Sequence, residues 1–273
     1  MYGWCVAKCV ARLIFWSENF CKLLKLNELN CKNRTIRHRA AVKRPRGAAA
    51  VPVAPHEPEW NMRKTLHYIF DPLCGWCYGA GAVVAQVAAL PQLQLKLWPC
   101  GMFSGAGSRA MDDDFAAYAW TNDQRIEQLT GQHFSPRYRT QVLADRQQRF
   151  DSGPISLALT AVALTAPTQE VAALKAMQQA RYIDGQDVTS LDQLAVILQG
   201  LGLAEAAQRL TAADAELLQA HAARTQQAQH WLQQLGARGV PTFLLEIDGR
   251  GQLLPSNLLF SQPEAWIEQL LAA

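Results

Sequence analysis

Two cysteines separated by two residues, Cys74-Gly75-Trp76-Cys77, constrain this chain more than any other feature. Such a pair can close a small disulfide and open it again. Thr65 to Phe70, just before it, is apolar and β-rich. Gly79 to Leu90, just after it, is small and apolar and stops at Pro91. A CxxC between a strand and a helix reads as a redox centre rather than half of a zinc site. Far downstream, Gly239-Val240-Pro241-Thr242-Phe243 sets a proline at the head of a second apolar strand.

The charge is unevenly spread. Residues 1–61 hold 11 Lys+Arg against 4 Asp+Glu, whereas residues 62–273 hold 15 against 19, so the net +3 comes from the leader. A mildly acidic body argues against a nucleic-acid-binding domain, which would carry its basic patch on the folded part. No run of eighteen apolar residues is present, so no membrane span is expected. Of seven cysteines, Cys5, Cys9, Cys21 and Cys31 lie in the leader, and only Cys74, Cys77 and Cys100 lie in the body. That density does not suit a disulfide scaffold. It suits a reducing, cytoplasmic compartment with one functional pair.

Residues 1–61 read as a basic, disordered leader. Arg12 and Glu18 interrupt its only apolar run, so it does not resemble a secretory signal. Met62-Arg63-Lys64, followed at once by a strand, is the expected functional start. Its four cysteines match no zinc-finger spacing.

In the body, Thr65 to Phe70 is the first strand and Asp71-Pro72-Leu73 a turn. A single helix is expected from Gly75 to just before Pro91, with Gly79 and Gly81 packing it closely on a sheet. Leu93, Leu95 and Leu97 alternate with polar or amphipathic residues, which marks a half-buried strand. Strand, helix, strand makes a βαβ unit with parallel strands. Gly101 to Gly107 lacks the Lys-Ser/Thr ending of a phosphate loop. Residues 112–200 read as a helical insertion, broken at Asp151-Ser152-Gly153-Pro154. Residues 62–111 and 201–273 form the main domain. Thr189-Ser190-Leu191-Asp192 and Thr211-Ala212-Ala213-Asp214 have the look of caps opening two helices. The second carries Leu217, His221, Arg224, Ala228, Trp231 and Leu235 on one face, with His221 at its edge rather than as a ligand. Phe243 to Ile247 is a strand, Asp248 to Gly251 a hairpin turn and Gln252 to Leu254 the return. A last helix runs from about Gln262 to Leu271.

Disulfide exchange needs a thiolate, a second thiol to release the mixed disulfide, and a groove for the substrate. Cys74 stands where the helix begins, and free N–H groups there favour a thiolate, which makes it the nucleophile. Cys77, one turn on, is the resolving thiol. Asp71, the nearest carboxylate, is either a proton relay to Cys77 or a cap of its own turn. Trp76 either flanks an apolar substrate or shields the disulfide. Cys100 reads as a buried, inert thiol, with a third redox role as the alternative.

These pieces resemble the thioredoxin superfamily, an α/β fold. Helices inserted between the βαβ unit and the proline strand narrow the resemblance to the DsbA-like family. Phe70-Asp71-Pro72-Leu73-Cys74-Gly75-Trp76-Cys77-Tyr78-Gly79 is similar to its FrnE-like, protein-disulfide isomerase branch, over about residues 62–273. The resemblance implies that the bond before Pro241 is cis and that the Val240 backbone pairs with an extended substrate segment. It implies disulfide-containing protein or peptide substrates, recycling by a reductase or by glutathione, and no cofactor beyond the redox disulfide itself. DsbA has Pro-His between its cysteines. Gly-Trp here implies a weaker oxidant, with a reductase or isomerase poise.

Two rival readings stand beside this one. Kappa-class glutathione transferases and 2-hydroxychromene-2-carboxylate isomerases share related folds, but use a serine where Cys74 stands. A non-enzymatic zinc protein would use Cys74, Cys77 and Cys100, and the sequence offers no obvious fourth ligand.

Overall fold

The computed structural model describes residues 64–273. The leader and its four cysteines, and the expected start at Met62, lie outside the described residues.

Strand β1 (Lys64–Phe70) runs into a turn and then into the short helix α1 (Gly75–Gly79) and its continuation α2 (Gly81–Ala88). Strand β2 (Leu93–Pro99) returns parallel to β1, with Leu66 opposite Leu95 and Phe70 opposite Pro99. The second half of the sheet is antiparallel. β5 (Thr242–Ile247) pairs with the other edge of β1, and β6 (Arg250–Leu254) pairs with β5, for the order β2-β1-β5-β6. This is the mixed α/β sheet of the thioredoxin fold.

Both faces of β1 are covered, which is why its sequence is almost continuously apolar. Leu66, Tyr68 and Phe70 point into the larger core, and Tyr68 stacks between Phe70 and Phe243. Ile69 points the other way, against Ala228 of helix α8 (Ala215–Gln234), with Trp98 and Trp231 beside it. Arg224 of α8 donates to the Leu97 carbonyl at 2.7 Å and pairs with Glu170, fastening α8 to the β2 edge. His221 sits half-buried beside Thr160, on the edge of the same helix.

Most of the remaining helices lie between β2 and β5 in the chain. A two-residue ribbon, β3 (Arg109–Ala110) with β4 (Arg149–Phe150), brackets α3 (Asp113–Thr130) and a π-helical turn at Tyr138–Leu143. Then follow α4 (Gly153–Thr165), α5 (Glu170–Tyr182), α6 (Leu191–Gly200) and α7 (Ala204–Ala212). Local signals set several of their ends. The Asp112 side chain accepts from Phe115 N at 2.7 Å, and Gly131 closes α3 in the left-handed region. Ser190 and Asp214 cap α6 and α8 in the same way. α7 packs on α4 and α6. The chain ends in α9 (Asn257–Ser261) and α10 (Pro263–Ala272), whose Trp266 is buried against Phe243.

Three expectations are corrected. The helix after the cysteines is two segments joined at Ala80 rather than one. The hairpin turn is Asp248-Gly249 alone, both with positive φ, so β6 begins at Arg250. The close packing at Gly79 is against a helix, not the sheet. A Cβ there would lie 2.7 Å from Ile126 Cγ2 of α3.

Gly79→Ala should therefore destabilise the protein, although alanine is the better helix former by about 1 kcal/mol. Overpacking costs about 1–3 kcal/mol and outweighs that gain. The expected outcome is a melting temperature several degrees lower. A melting temperature unchanged or raised in this variant would show that the contact is not tight.

Candidate active site

The end of β1 and the start of β5 meet at one place. Ile69 is paired with Thr242, so the residues after β1 lie beside those before β5. Cys74 is the N-cap residue of α1, in extended conformation, and Cys77 lies one turn further on. The Val240–Pro241 bond is cis. The Cys74 thiol points at the Val240 carbonyl, Sγ to O 3.8 Å. Four of the residues singled out in the sequence, Cys74, Trp76, Val240 and Pro241, are thus brought to one edge of the fold.

Trp76, Val240 and Pro241 border an open groove of about 400 Å³. Trp76 forms one wall and packs edge-on against Phe260 of α9, ring centroids 5.0 Å apart. Val240, Pro241 and Leu254 form the other, and Arg238 stands among its lining residues. Phe260 was not legible as a site residue, because α9 is a single short turn with no periodicity.

The two thiols differ in access. Cys74 is 9% exposed and Cys77 1%. Both are unbonded thiols in this structure. Burial, and then the neighbouring Cys74, push the Cys77 thiol well above its ordinary range, and the Asp71 backbone amide opposes this. The Cys77 carbonyl accepts from Tyr68 Oη at 3.1 Å, and the Leu73 carbonyl accepts from Tyr182 Oη at 2.9 Å. These buried hydroxyls hold the motif's backbone from below. Cys100 is buried separately, with Ile69 and Ala228, and burial pushes its thiol up to about 12.

Asp71 is completely buried. Its Oδ1 accepts from Leu73 N at 3.0 Å, which is the turn cap expected of an Asp there. Its Oδ2 accepts from Phe103 N at 3.0 Å and from Ser152 Oγ at 2.7 Å. Burial raises the carboxyl above its ordinary value while these donors pull it back. Its charge in turn raises both Cys77 and Cys100. Phe103 and Ser152 had been visible in the sequence only as part of a Gly-rich loop and a helix break.

An α/β sheet of this order, with a CxxC opening the helix after the central strand and a cis-proline facing it, defines a DsbA-like thioredoxin fold. The model of the DSBA-like thioredoxin domain family matches residues 65–261, and the chain belongs to that family. Solved structures agree. The cytosolic disulfide reductase DsbM from Pseudomonas aeruginosa is 35% identical, covering 77% of this chain and all of that one, with a TM-score of 0.68. The same protein with GSH superimposes with a TM-score of 0.67 at 32% identity over the same shares. A candidate protein disulfide isomerase from Nitrosomonas europaea shares the fold, with TM-score 0.64 and 24% identity over 77% of this chain and 96% of that one. No curated protein sequence matches. Among the described residues no helix is long and apolar enough to cross a membrane.

The difference in burial orders the reactivity of the three body cysteines. Brief iodoacetamide treatment of the reduced, folded protein should alkylate Cys74 at least about tenfold faster than Cys77 or Cys100, since thiolate character and access govern the rate. Peptide mass mapping reads this directly. Equal labelling of Cys74 and Cys77 would contradict the geometry.

Proposed function

We propose that this protein is a cytoplasmic thiol–disulfide oxidoreductase that works as a disulfide reductase, with Cys74 as nucleophile and Cys77 as resolving thiol. The observation that carries it is the Cys74 thiol facing the Val240 carbonyl beside a cis-proline, with Trp76, Val240 and Pro241 lining an open groove. Reduction, cytoplasmic location and a role for glutathione draw support from the likeness to a cytosolic disulfide reductase also solved with GSH.

The Cys74 thiolate attacks one sulfur of a substrate disulfide, forming a mixed disulfide and expelling the other sulfur as a thiolate, which takes up a proton. Trp76 and Pro241 hold the apolar flanks of the substrate, and the Val240 backbone pairs with its extended chain. Cys77 then loses its proton and attacks the Cys74 sulfur. The second substrate thiol leaves and the protein is left with a Cys74–Cys77 disulfide. Two glutathione molecules reduce that disulfide to the dithiol and become one glutathione disulfide. Deprotonating Cys77 is the costly step, because burial disfavours its thiolate. Asp71, the buried carboxylate whose charge acts on Cys77, is the group we assign to take that proton.

Equilibration with reduced and oxidised glutathione, read by mass after acid quench and alkylation, tests this. The pair should settle near the thioredoxin end of the scale, ~−270 mV, rather than the DsbA end, ~−120 mV. Cys77→Ser should accumulate a mixed disulfide on Cys74, and Cys74→Ser should reduce no disulfide above background. A potential near that of DsbA would sink the reductase reading. A Cys74→Ser protein that still reduces disulfides would sink the assignment of the nucleophile.

A further inference from the structure

A second ionisable cluster, unused in the steps above, lies against the other side of the motif. Gly75 follows Cys74 directly. A Cβ at this position would lie 2.4 Å from Asp123 Oδ1 and 3.0 Å from Ile126 Cδ1, both on α3. The carboxylate therefore fills the space that a side chain at residue 75 would need. Asp123 is 5% exposed, and its Oδ2 accepts from Tyr138 Oη at 3.0 Å.

Beyond Tyr138 sits Arg181, only 2% exposed. Its guanidinium lies 5.4 Å from the Tyr138 ring centroid, 5.4 Å from that of Phe150 and 5.7 Å from that of Tyr182. Its Nε has no hydrogen-bond partner among the described residues. A guanidinium stays charged even when buried, so a positive charge is enclosed here and Asp123 is the carboxylate whose charge acts on the same Tyr138 hydroxyl. Tyr182 Oη meanwhile donates to the Leu73 carbonyl. The cluster thus touches the chain on both sides of Cys74, at Leu73 and at Gly75.

We propose that Asp123 is a positioning residue that sets the redox poise: its negative charge, balanced against Arg181 through the Tyr138 hydroxyl, opposes the thiolate at Cys74 and keeps the disulfide hard to reduce. The inference rests on the reading of Cys74 as nucleophile given above. Reducing the pair puts negative charge on Cys74 to the extent that it becomes a thiolate. A carboxylate behind the next residue makes that charge costlier, whereas Arg181 alone would make it cheaper. Burial pushes the Asp123 carboxyl up to about 7, with the Tyr138 hydrogen bond and the Arg181 charge pulling it back, so its charge at neutral pH depends on that hydroxyl.

The test is the equilibrium of the full-length protein with glutathione: disulfide plus two reduced glutathione giving dithiol plus glutathione disulfide. Asp123→Asn keeps the shape and leaves an oxygen for Tyr138 to donate to. It should raise the equilibrium constant about tenfold, which is a potential about 30 mV more oxidising. Tyr138→Phe removes the donor, favours the neutral carboxyl and should shift the constant the same way by a smaller factor, about threefold. Asp113→Asn, at the exposed start of the same helix, should leave it unchanged. Melting temperatures run alongside, because a purely structural role would lower them without moving the constant. A constant within twofold of the wild type in Asp123→Asn, or one that falls, overturns the inference. Should that variant not fold, Tyr138→Phe decides by the same criterion. Wild-type protein that does not equilibrate with glutathione through Cys74 and Cys77 overturns the functional reading instead.

Discussion

The pairing of β1 with β5 is the constraint on which the rest of the structure depends. β1 runs parallel to β2 on one side and antiparallel to β5 on the other. Only the antiparallel partner begins where β1 ends. Ile69 opposite Thr242 therefore carries Cys74 to Val240 across 166 residues of chain. A slip of one residue would turn Phe243 and Leu245 out of the larger core, so the buried faces of the two strands hold the register. The position of the thiol over the Val240 carbonyl is in this sense a product of core packing.

Beneath the motif the protein has gathered polar groups that water would otherwise satisfy. Asp71 spends both oxygens on three donors, two of them brought in by the 101–107 loop and the start of α4. Tyr68 and Tyr182 hold the carbonyls of Cys77 and Leu73. An unpaired buried polar group costs about 1–3 kcal/mol, so each of these partners also locks the loop that bears it. The inserted helices are part of the candidate site for that reason. They supply the hydroxyl on Asp71, the tyrosine on Leu73 and the carboxylate behind Gly75.

The expected α/β thioredoxin fold, the DsbA-like resemblance, the parallel βαβ unit and the capped helix starts within residues 189–192 and 211–214 are all present. Each depends on residues near one another in the chain: a period of two, a cap three residues before a helical stripe, a CxxC between two apolar runs. The misread features depend on distant residues. Gly79 was assigned to the sheet because its neighbour Ile126 lies 47 positions away on another helix. α9, with the Phe260 wall of the groove, is too short to leave a periodic trace.

The sequence by itself determined the candidate chemistry, because a redox pair needs two thiols one helical turn apart and Cys74 and Cys77 are written within four residues. It also determined the four strands of the main sheet, β1, β2, β5 and β6. What surrounds those thiols was decided only by the tertiary structure. Whether Asp71 caps its turn, meets Ser152 or does both, and whether a carboxylate stands behind Gly75, depends on where α3, α4 and α5 come to rest. Those positions follow from side-chain packing summed over the whole core, which no local pattern of residues encodes.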